Sequence, residues 1–429
     1  MKLPGEESGA LLVCDEIVFK GGLRQPPQEA VDLVTGYLRK AELRPQVRLR
    51  TLRRGVLLHD GHGRLVADVV DDDVSVLRGR RVATGFRELE VETTPHTPPG
   101  LLDAIIDRLR AAGAGAPDPT PKYLRAIGGP EAAPPEIVVA ELTRTASLAA
   151  VVTRALCDGA VRLIRHDPVV RLDTDPEGVH QARVATRRLR SDLRTFRAVL
   201  DREWAAGLRE ELGWLGGVLG AARDADVLLD RLTTHAQGLP EASADGAAEL
   251  TSALEHRRVE THAMLLDAVR GDRYLDLIDR LINAAQAPAL LAPKANRAAA
   301  KALPSLVHRA WRALDRKASS LSDPPTNEEL HMVRILAKRC RYAAEACAPS
   351  LGKRTHKLAV ATRDVQDVLG ELNDAVVAEK WLRDWTAHTD SPPGAFAAGE
   401  LAALEREAAQ QARSQWPGAW KQAKAHAPT

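Results

Sequence analysis

Apolar and polar positions follow two different rhythms along this chain. Up to about residue 95 the rhythm is that of strands: LLVCDEIVF (11–19), VRLRTLRRGVLL (47–58), RLVADVV (64–70), VSVL (74–77) and FRELEVE (86–92) alternate or are rich in Val and Leu. The Asp-Gly-His-Gly of 60–63 reads as a hairpin loop. EAVDLVTGYLRKAE (29–42) and LLDAIIDRLRAAG (101–113) interrupt the strands with helical apolar spacing, so this part is a small α+β unit. A Pro-, Gly- and Ala-rich stretch over 113–135 then marks a linker. Everything after it is helical in pattern, with breaks at 173–178, 237–246, 287–294, 322–327 and 389–394. The pattern predicts a multidomain chain ending in an all-α bundle of about eight or more helices with essentially no sheet.

An internal repeat organises the helical part. VHQARVATRRLR (179–190) matches LHMVRILAKRCR (330–341), placing His180 on His331, Arg183 on Arg334, Arg187 on Lys338, Arg188 on Arg339 and Arg190 on Arg341. VLGAARDADVL (218–228) matches VLGELNDAVVA (368–378), placing Gly220 on Gly370 and Asp224 on Asp374. Duplication of a helical half-domain is the economical explanation.

Within the first copy, His180, Arg183, Arg187, Arg190, Arg194 and Arg197 recur at heptad spacing and share one helical face. Ala182, Thr186, Leu189, Leu193, Phe196 and Leu200 form an apolar stripe beside it. The second copy repeats the cationic face with His331, Arg334, Lys338 and Arg341, flanked by Arg339 and Tyr342. A run of charge ordinarily faces water. Two related helices in a twofold bundle can instead line one central groove, and guanidinium groups enclosed there need anions. Arginine forks along about 25 Å of helix, at ~1.5 Å per residue, suit an extended anion better than a single phosphate. His180 and His331 each stand near a predicted helix N-terminus, where a ring N–H can meet an anion or simply cap the helix.

Other residues enter with less pattern behind them. Lys301, Arg309, Arg312 and Arg316 form a third basic face, and Lys353 and Lys357 a fourth. Asp224, Asp226 and Asp374 lack a Glu or His at metal spacing, and orienting arginines or capping helices is the plainer role for them.

Composition adds three constraints. With 60 Lys+Arg against 58 Asp+Glu the net charge is +2, which excludes a uniformly basic coat; 47 of the cations are Arg, a bias that a GC-rich genome also produces. The four cysteines, Cys14, Cys157, Cys340 and Cys347, show no metal-ligand or redox spacing and read as reduced, mostly buried thiols. No apolar run approaches the ~18 residues of a membrane span and the N-terminus lacks a signal layout, so a cytoplasmic protein with no membrane partner is expected.

From about 140 to 425 the chain resembles a CHAD domain, a helical domain of two similar halves, through VHQARVATRRLR, LGAARDADVL, LHMVRILAKRCRYAAE and VQDVLGELNDAV. The resemblance implies a module that binds inorganic polyphosphate in a basic central channel without a required cofactor, and that joins polyphosphate granules in some members. It brings forward His180, Arg183, Arg187, Arg188, Arg190, Arg194, His331, Arg334, Lys338, Arg339, Arg341 and Tyr342 as ligands, with Arg197 from the same stripe. Cys340 departs from the Leu often found there.

The first ~125 residues are similar to the later part of a CYTH domain, the triphosphate-tunnel fold, through KLPG (2–5), residues 49–76, FRELEVE and PKYLRA (121–126). The family's Glu-x-Glu-x-Lys strand has no counterpart here, which implies an incomplete antiparallel barrel fragment. Either catalysis has been lost or the start codon lies upstream of Met1, and KLPG slightly favours the latter. We therefore place a partial CYTH-like domain at 1–127, a linker at 128–138 and a CHAD-like domain at 139–427, with halves of about 139–285 and 295–427.

The leading expectation is a non-catalytic polyphosphate binder. The enzyme alternative is a Mg-dependent triphosphatase or polyphosphatase using Glu88, Glu90 and Glu92 as metal ligands, with Lys2, Arg50 and Arg53 touching phosphate. Nucleic acid is disfavoured as a specific partner, because only 15 aromatics are present and none interleaves with the basic stripes. Oligomeric state is left open.

Overall fold

The computed structural model describes residues 6–8, 11–13, 17–20, 25–116, 118, 120–128, 135–143 and 145–428. The KLPG segment with Lys2, and Cys14, lie outside the described residues. Two compact units emerge: a sheet unit, Met1–Ala30 with Ala41–Pro135, and a helical unit, Val31–Lys40 with Glu136–Thr429.

In the sheet unit, β1 (Glu6–Ser8) pairs antiparallel with β2 (Leu11–Val13). A separate antiparallel sheet contains β3 (Arg48–His59), β4 (Leu65–Arg78) and β5 (Arg81–Thr93) in that order. The two apolar runs at 64–70 and 74–77 are therefore one strand, joined through Asp71, Asp72 and Asp73. Asp72 is tolerated there because its buried carboxylate is fully paired, as described below. The Asp60–Gly63 loop closes the β3–β4 hairpin, with the Asp60 carboxylate accepting from the backbone N–H groups of His62 and Arg64. Only β4 alternates cleanly into a buried face, through Val66, Val70, Val74 and Val76. Leu52, Val56 and Leu57 on β3 and Val82 and Leu89 on β5 are exposed.

Four shorter helices accompany these strands in sequence: α1 (Gln28–Leu33), α2 (Thr35–Leu38), α3 (Leu101–Ala111) and α4 (Lys122–Ala126). The sequence pattern groups 29–42 with the strands, whereas Val31–Lys40 belongs to the helical unit. Ion pairs hold it there: Asp32 accepts from Arg171 and Arg270, Arg39 from α2's end pairs with Glu136 and Asp279, and Lys40 with Asp276. None of these pairings is visible in local periodicity.

The helical unit contains α5 (Leu148–Leu172), α6 (Pro176–Thr195), α7 (Arg202–Ala236), α8 (Ala244–Arg270), α9 (Asp272–Gln286), the short α10 (Ala292–Ala295), α11 (Ala299–Ala318), α12 (Asn327–Leu351), α13 (Lys353–Thr386) and α14 (Pro392–Ala425). Helices α5 to α8 pack in chain order, as do α11 to α14, and α6 meets α12 while α8 meets α14. Each of the five predicted breaks spans a junction between helices but runs into the first residues of the helix that follows, and capping residues explain where the chain restarts. Asp175 caps α6 with Pro176 in its first turn, Ser391 caps α14 before Pro392, and Thr326 with Glu329 forms a capping box on α12. Asp173 ends α5 in the left-handed conformation that Asp tolerates better than most residues.

One continuous core runs through α5, α6, α7, α9, α11, α12 and α13, and a second cluster ties α7 and α8 to α13 and α14. Close helix approach requires small residues at particular points. A Cβ on Gly246 of α8 would lie 2.1 Å from the carbonyl oxygen of Pro393. Gly246→Ala is thus expected to destabilise the protein by about 2 kcal/mol or more, since backbone must move to admit the methyl; thermal melting of the variant checks this.

Candidate anion-binding seam

Helix α6 is amphipathic in two senses, and its apolar side fixes where its cations go. Ala182, Thr186, Leu189, Leu193 and Phe196 are all fully buried, and Thr186 returns its hydroxyl to the Ala182 carbonyl. With that stripe against the core, the neighbouring face carrying Arg183, Arg187, Arg190 and Arg194 turns toward α7 and α12. On α12, burial of Leu330, Val333, Ala337 and Cys340 leaves Arg334 and Lys338 facing α6.

Electrostatics records how closely the two faces approach. Burial, together with the charges of Arg334, Arg187 and Arg183, depresses Lys338 to a pKa of about 7, with only Asp374 acting against them. Arg334 is pushed down by burial and by Arg187 and Arg183, despite Asp374 and Asp224. Arg194 is lowered by burial and by the charges of Arg339, Arg209, Arg190 and Arg197. His180 is lowered by burial, Arg223, Arg187 and Arg183, partly offset by Glu177. Mutual repulsion of this kind arises only where cations from α6, α7 and α12 share one space.

Among the described residues, Arg187, Arg190, Arg194, Arg334, Lys338 and Arg339 form no ion pair or hydrogen bond with a carboxylate. The Nε atoms of Arg187, Arg190, Arg209 and Arg334 are buried without a partner. A buried unsatisfied donor on a charged group is energetically expensive. Arg183 is the exception, held by Asp224 at 2.7 Å, while His331 meets Asn373 at 2.7 Å. Asp224 thus orients an arginine.

Room for the guanidinium groups comes from α7. A Cβ on Gly213 would lie 3.6 Å from Arg190 Nη2, and one on Gly220 the same distance from Arg183 Nη2; on α13 a Cβ on Gly370 would lie 3.6 Å from Arg334 Nε. Arg209, Gly213, Gly216, Gly220 and Arg223 follow the 4-3-4-3 spacing of a heptad seam, a signal present in the sequence but absent from our sequence reading of the site. The glycines hide it from a search for charge or apolarity.

The stripe closes at its other end. Glu345 of α12 accepts from Arg188, from Arg341 at 2.9 Å, and lies 3.5 Å from Arg363. Burial favours its neutral form, but the Arg188 and Arg341 charges prevail and lower its pKa. Arg341 also donates to Gln366, and Tyr342 is buried between the guanidinium groups of Arg188 and Arg341. Asp192 of α6 is buried nearby; burial, with Glu345 and Asp158, pushes it up to about 8 against the charge of Arg188.

The remaining candidates lie elsewhere. Lys301, Arg309, Arg312 and Arg316 occupy the exposed side of α11, Lys353 and Lys357 are exposed on α13, and Arg197 is exposed past the end of α6. Asp226 is buried against His262, whose two ring nitrogens meet Asp226 at 2.9 Å and Asp173, with Arg258 bonded to both carboxylates. Burial opposes protonation of His262, yet the Asp226 hydrogen bond and both carboxylate charges raise its pKa. This is a structural lock between α5's end, α7 and α8.

In the sheet unit, oxygen atoms of Asp72, Glu88 and Glu90 lie within 4.8 Å of one another. These residues do not fit a Mg²⁺ ion. The Lys122 ammonium lies 2.5, 2.9 and 3.3 Å from the three carboxylates, Arg53 makes a bidentate pair with Asp72, and Arg125 donates to Glu88. The cations already neutralise the cluster, and the Arg53 bond is the largest influence lowering Asp72 to about 2. Glu92 stands outside the trio and Arg50 is exposed on β3.

The fold is a helical bundle in which two basic helices related by a sequence repeat, α6 and α12, meet along a partly buried seam. The chain belongs to the CHAD domain family, whose model matches residues 154–383, more than half of its length. The uncharacterized proteins MT2285 and Rv2226 from two strains of Mycobacterium tuberculosis are each 29% identical to it over 414 residues, spanning 91% of this chain and 77% of theirs. A CHAD domain from the plant Ricinus communis superposes with a TM-score of 0.52 at 27% identity, covering 65% of this chain and 95% of the domain. PptA from Streptomyces chartreusis shares the fold, with a TM-score of 0.54 at 24% identity over 64% of this chain and all of PptA. Among the described residues, no helix is long and apolar enough to cross a membrane.

Proposed function

We propose that the helical unit binds inorganic polyphosphate along the seam between α6, α7 and α12. The observation that carries this reading is the set of buried guanidinium Nε atoms on Arg187, Arg190 and Arg334 that no protein group satisfies, beside a lysine depressed by its neighbours. A linear polymer with one negative charge per repeating unit supplies acceptors at intervals. The cations from Arg183 to Arg194 extend over about 16 Å of helix, which a single phosphate does not span. The repeat supports two duplicated halves contributing one basic helix each, and membership in the CHAD family supports the ligand class and an association with polyphosphate granules in the cytoplasm.

The sheet unit is proposed to be related to the later CYTH strands and non-catalytic as it stands, its acidic trio serving as a salt-bridged cluster. Binding accordingly needs no metal. Nucleic acid is the competing polyanion, but among the described residues the seam offers no exposed aromatic face on which bases stack. Titration of the intact chain with long-chain polyphosphate is expected to give saturable binding that weakens steeply with salt through ion release and is unchanged by EDTA. DNA or RNA displacing the polymer at equal phosphate concentration would overturn the assignment, as would loss of binding on chelation.

A further inference from the structure

The two copies of the basic stripe are not equivalent once side chains are placed. Beside the first copy, α7 presents Gly213, Gly216 and Gly220, flanked by Arg209 and Arg223. The residues of α13 at the corresponding repeat positions are Ala359, Arg363, Gln366, Gly370 and Asn373. The α13 side therefore carries long side chains, Arg363 and Gln366, where α7 has Gly213 and Gly216. Arg341 is drawn into hydrogen bonds with Gln366 and Glu345, and Arg188 turns to the same Glu345 carboxylate.

Resting on the polyphosphate reading above, we propose that the anion runs along the α6–α7 side of the seam, with Arg209 and Arg223 as further ligands, and ends where Glu345 takes the place of a phosphate. Arg209 has a buried Nε with no acceptor, and its charge reaches Arg194 at one end of α6. Arg223 reaches His180 at the other end. The two lie 14 residues apart on α7, about 21 Å, so they bracket the same span as the α6 stripe. Between them Gly213 and Gly220 pack directly against the guanidinium groups of Arg190 and Arg183. Glu345 gathers Arg188, Arg341 and Arg363 around one carboxylate, which is the coordination a terminal phosphate would otherwise claim.

The test measures affinity of the full chain for polyphosphate of defined length at several salt concentrations. Arg209→Ala and Arg223→Ala are each expected to weaken binding about tenfold and to reduce the salt slope by roughly one counterion. Arg257→Ala, which removes one exposed charge on α8, is expected to stay within about twofold of the wild type. Glu345→Gln releases Arg188 and Arg341 and is expected to tighten binding several-fold with a steeper salt slope. Arg209→Lys, which keeps the charge but loses the fork, guards against misfolding of the alanine variant and is expected to fall between wild type and Arg209→Ala. If the wild type binds but the α7 variants match Arg257→Ala, or Glu345→Gln binds no tighter, the route proposed here is wrong while the ligand assignment stands. Failure of the wild type to bind removes the ligand assignment itself.

Discussion

Simultaneous replacement of Arg187, Arg190, Arg334 and Lys338 by glutamate is expected to abolish polyphosphate binding while leaving the helical fold intact. Each charge-assisted contact to a phosphate oxygen contributes about 1.5–3 kcal/mol, so four together match the roughly 8 kcal/mol of a micromolar complex. Reversal adds repulsion to that loss. The fold should persist because none of the four holds a protein carboxylate, and their backbone positions are fixed by the buried apolar stripes on the adjacent faces of α6 and α12. Binding by calorimetry and helicity by circular dichroism separate the two effects. Residual affinity within tenfold of wild type would place the polymer somewhere other than this seam.

That these residues share one face is legible in the sequence for a physical reason. Heptad spacing of Arg183, Arg187, Arg190 and Arg194 puts charge on one face whatever surrounds the helix, and the repeated block at 330–341 does the same for Arg334 and Lys338. Breaks at 173–178 and 322–327 were equally plain, because Asp175, Pro176 and Thr326 signal helix starts through local chemistry. What stayed hidden depends on partners distant in sequence. Glu345 looks like an ordinary surface acid of α12 until Arg188, 157 residues away, is seen to reach it. Asp72 sits in a run of three aspartates, and only the approach of Arg53 and Lys122 explains why this one is buried. The α7 glycines carry no side chain to advertise their role, and the ion pairs binding Val31–Lys40 to the helical unit cross more than a hundred residues.

Lys338 should report ligand binding through protons. Facing Arg183 and Arg187 of α6 and Arg334 of its own helix, with Asp374 of α13 too weak to compensate, it has a pKa of about 7 against an ordinary 10.5. Below pH 7 folded and unfolded chains both carry its proton, and the folded state bears the full penalty, on the order of 4 kcal/mol. Between pH 7 and 10.5 the unfolded chain holds more protons, so this residue makes the protein more stable as pH rises. Lys338→Met is therefore expected to raise stability at pH 6 by about 2–4 kcal/mol, read as a higher melting temperature, with a shrinking advantage toward pH 10. A polyanion laid beside Lys338 restores its affinity for a proton. At pH 8, binding of long-chain polymer, whose titrating end groups are few, is expected to take up close to one proton, measured by calorimetry in buffers of different ionisation enthalpy. Lys338→Arg keeps the charge fixed, so it should bind with uptake near zero. His180, already lowered by burial and Arg223, contributes its own uptake at lower pH. Proton uptake at pH 8 that survives Lys338→Arg would show that the polymer does not lie against this residue.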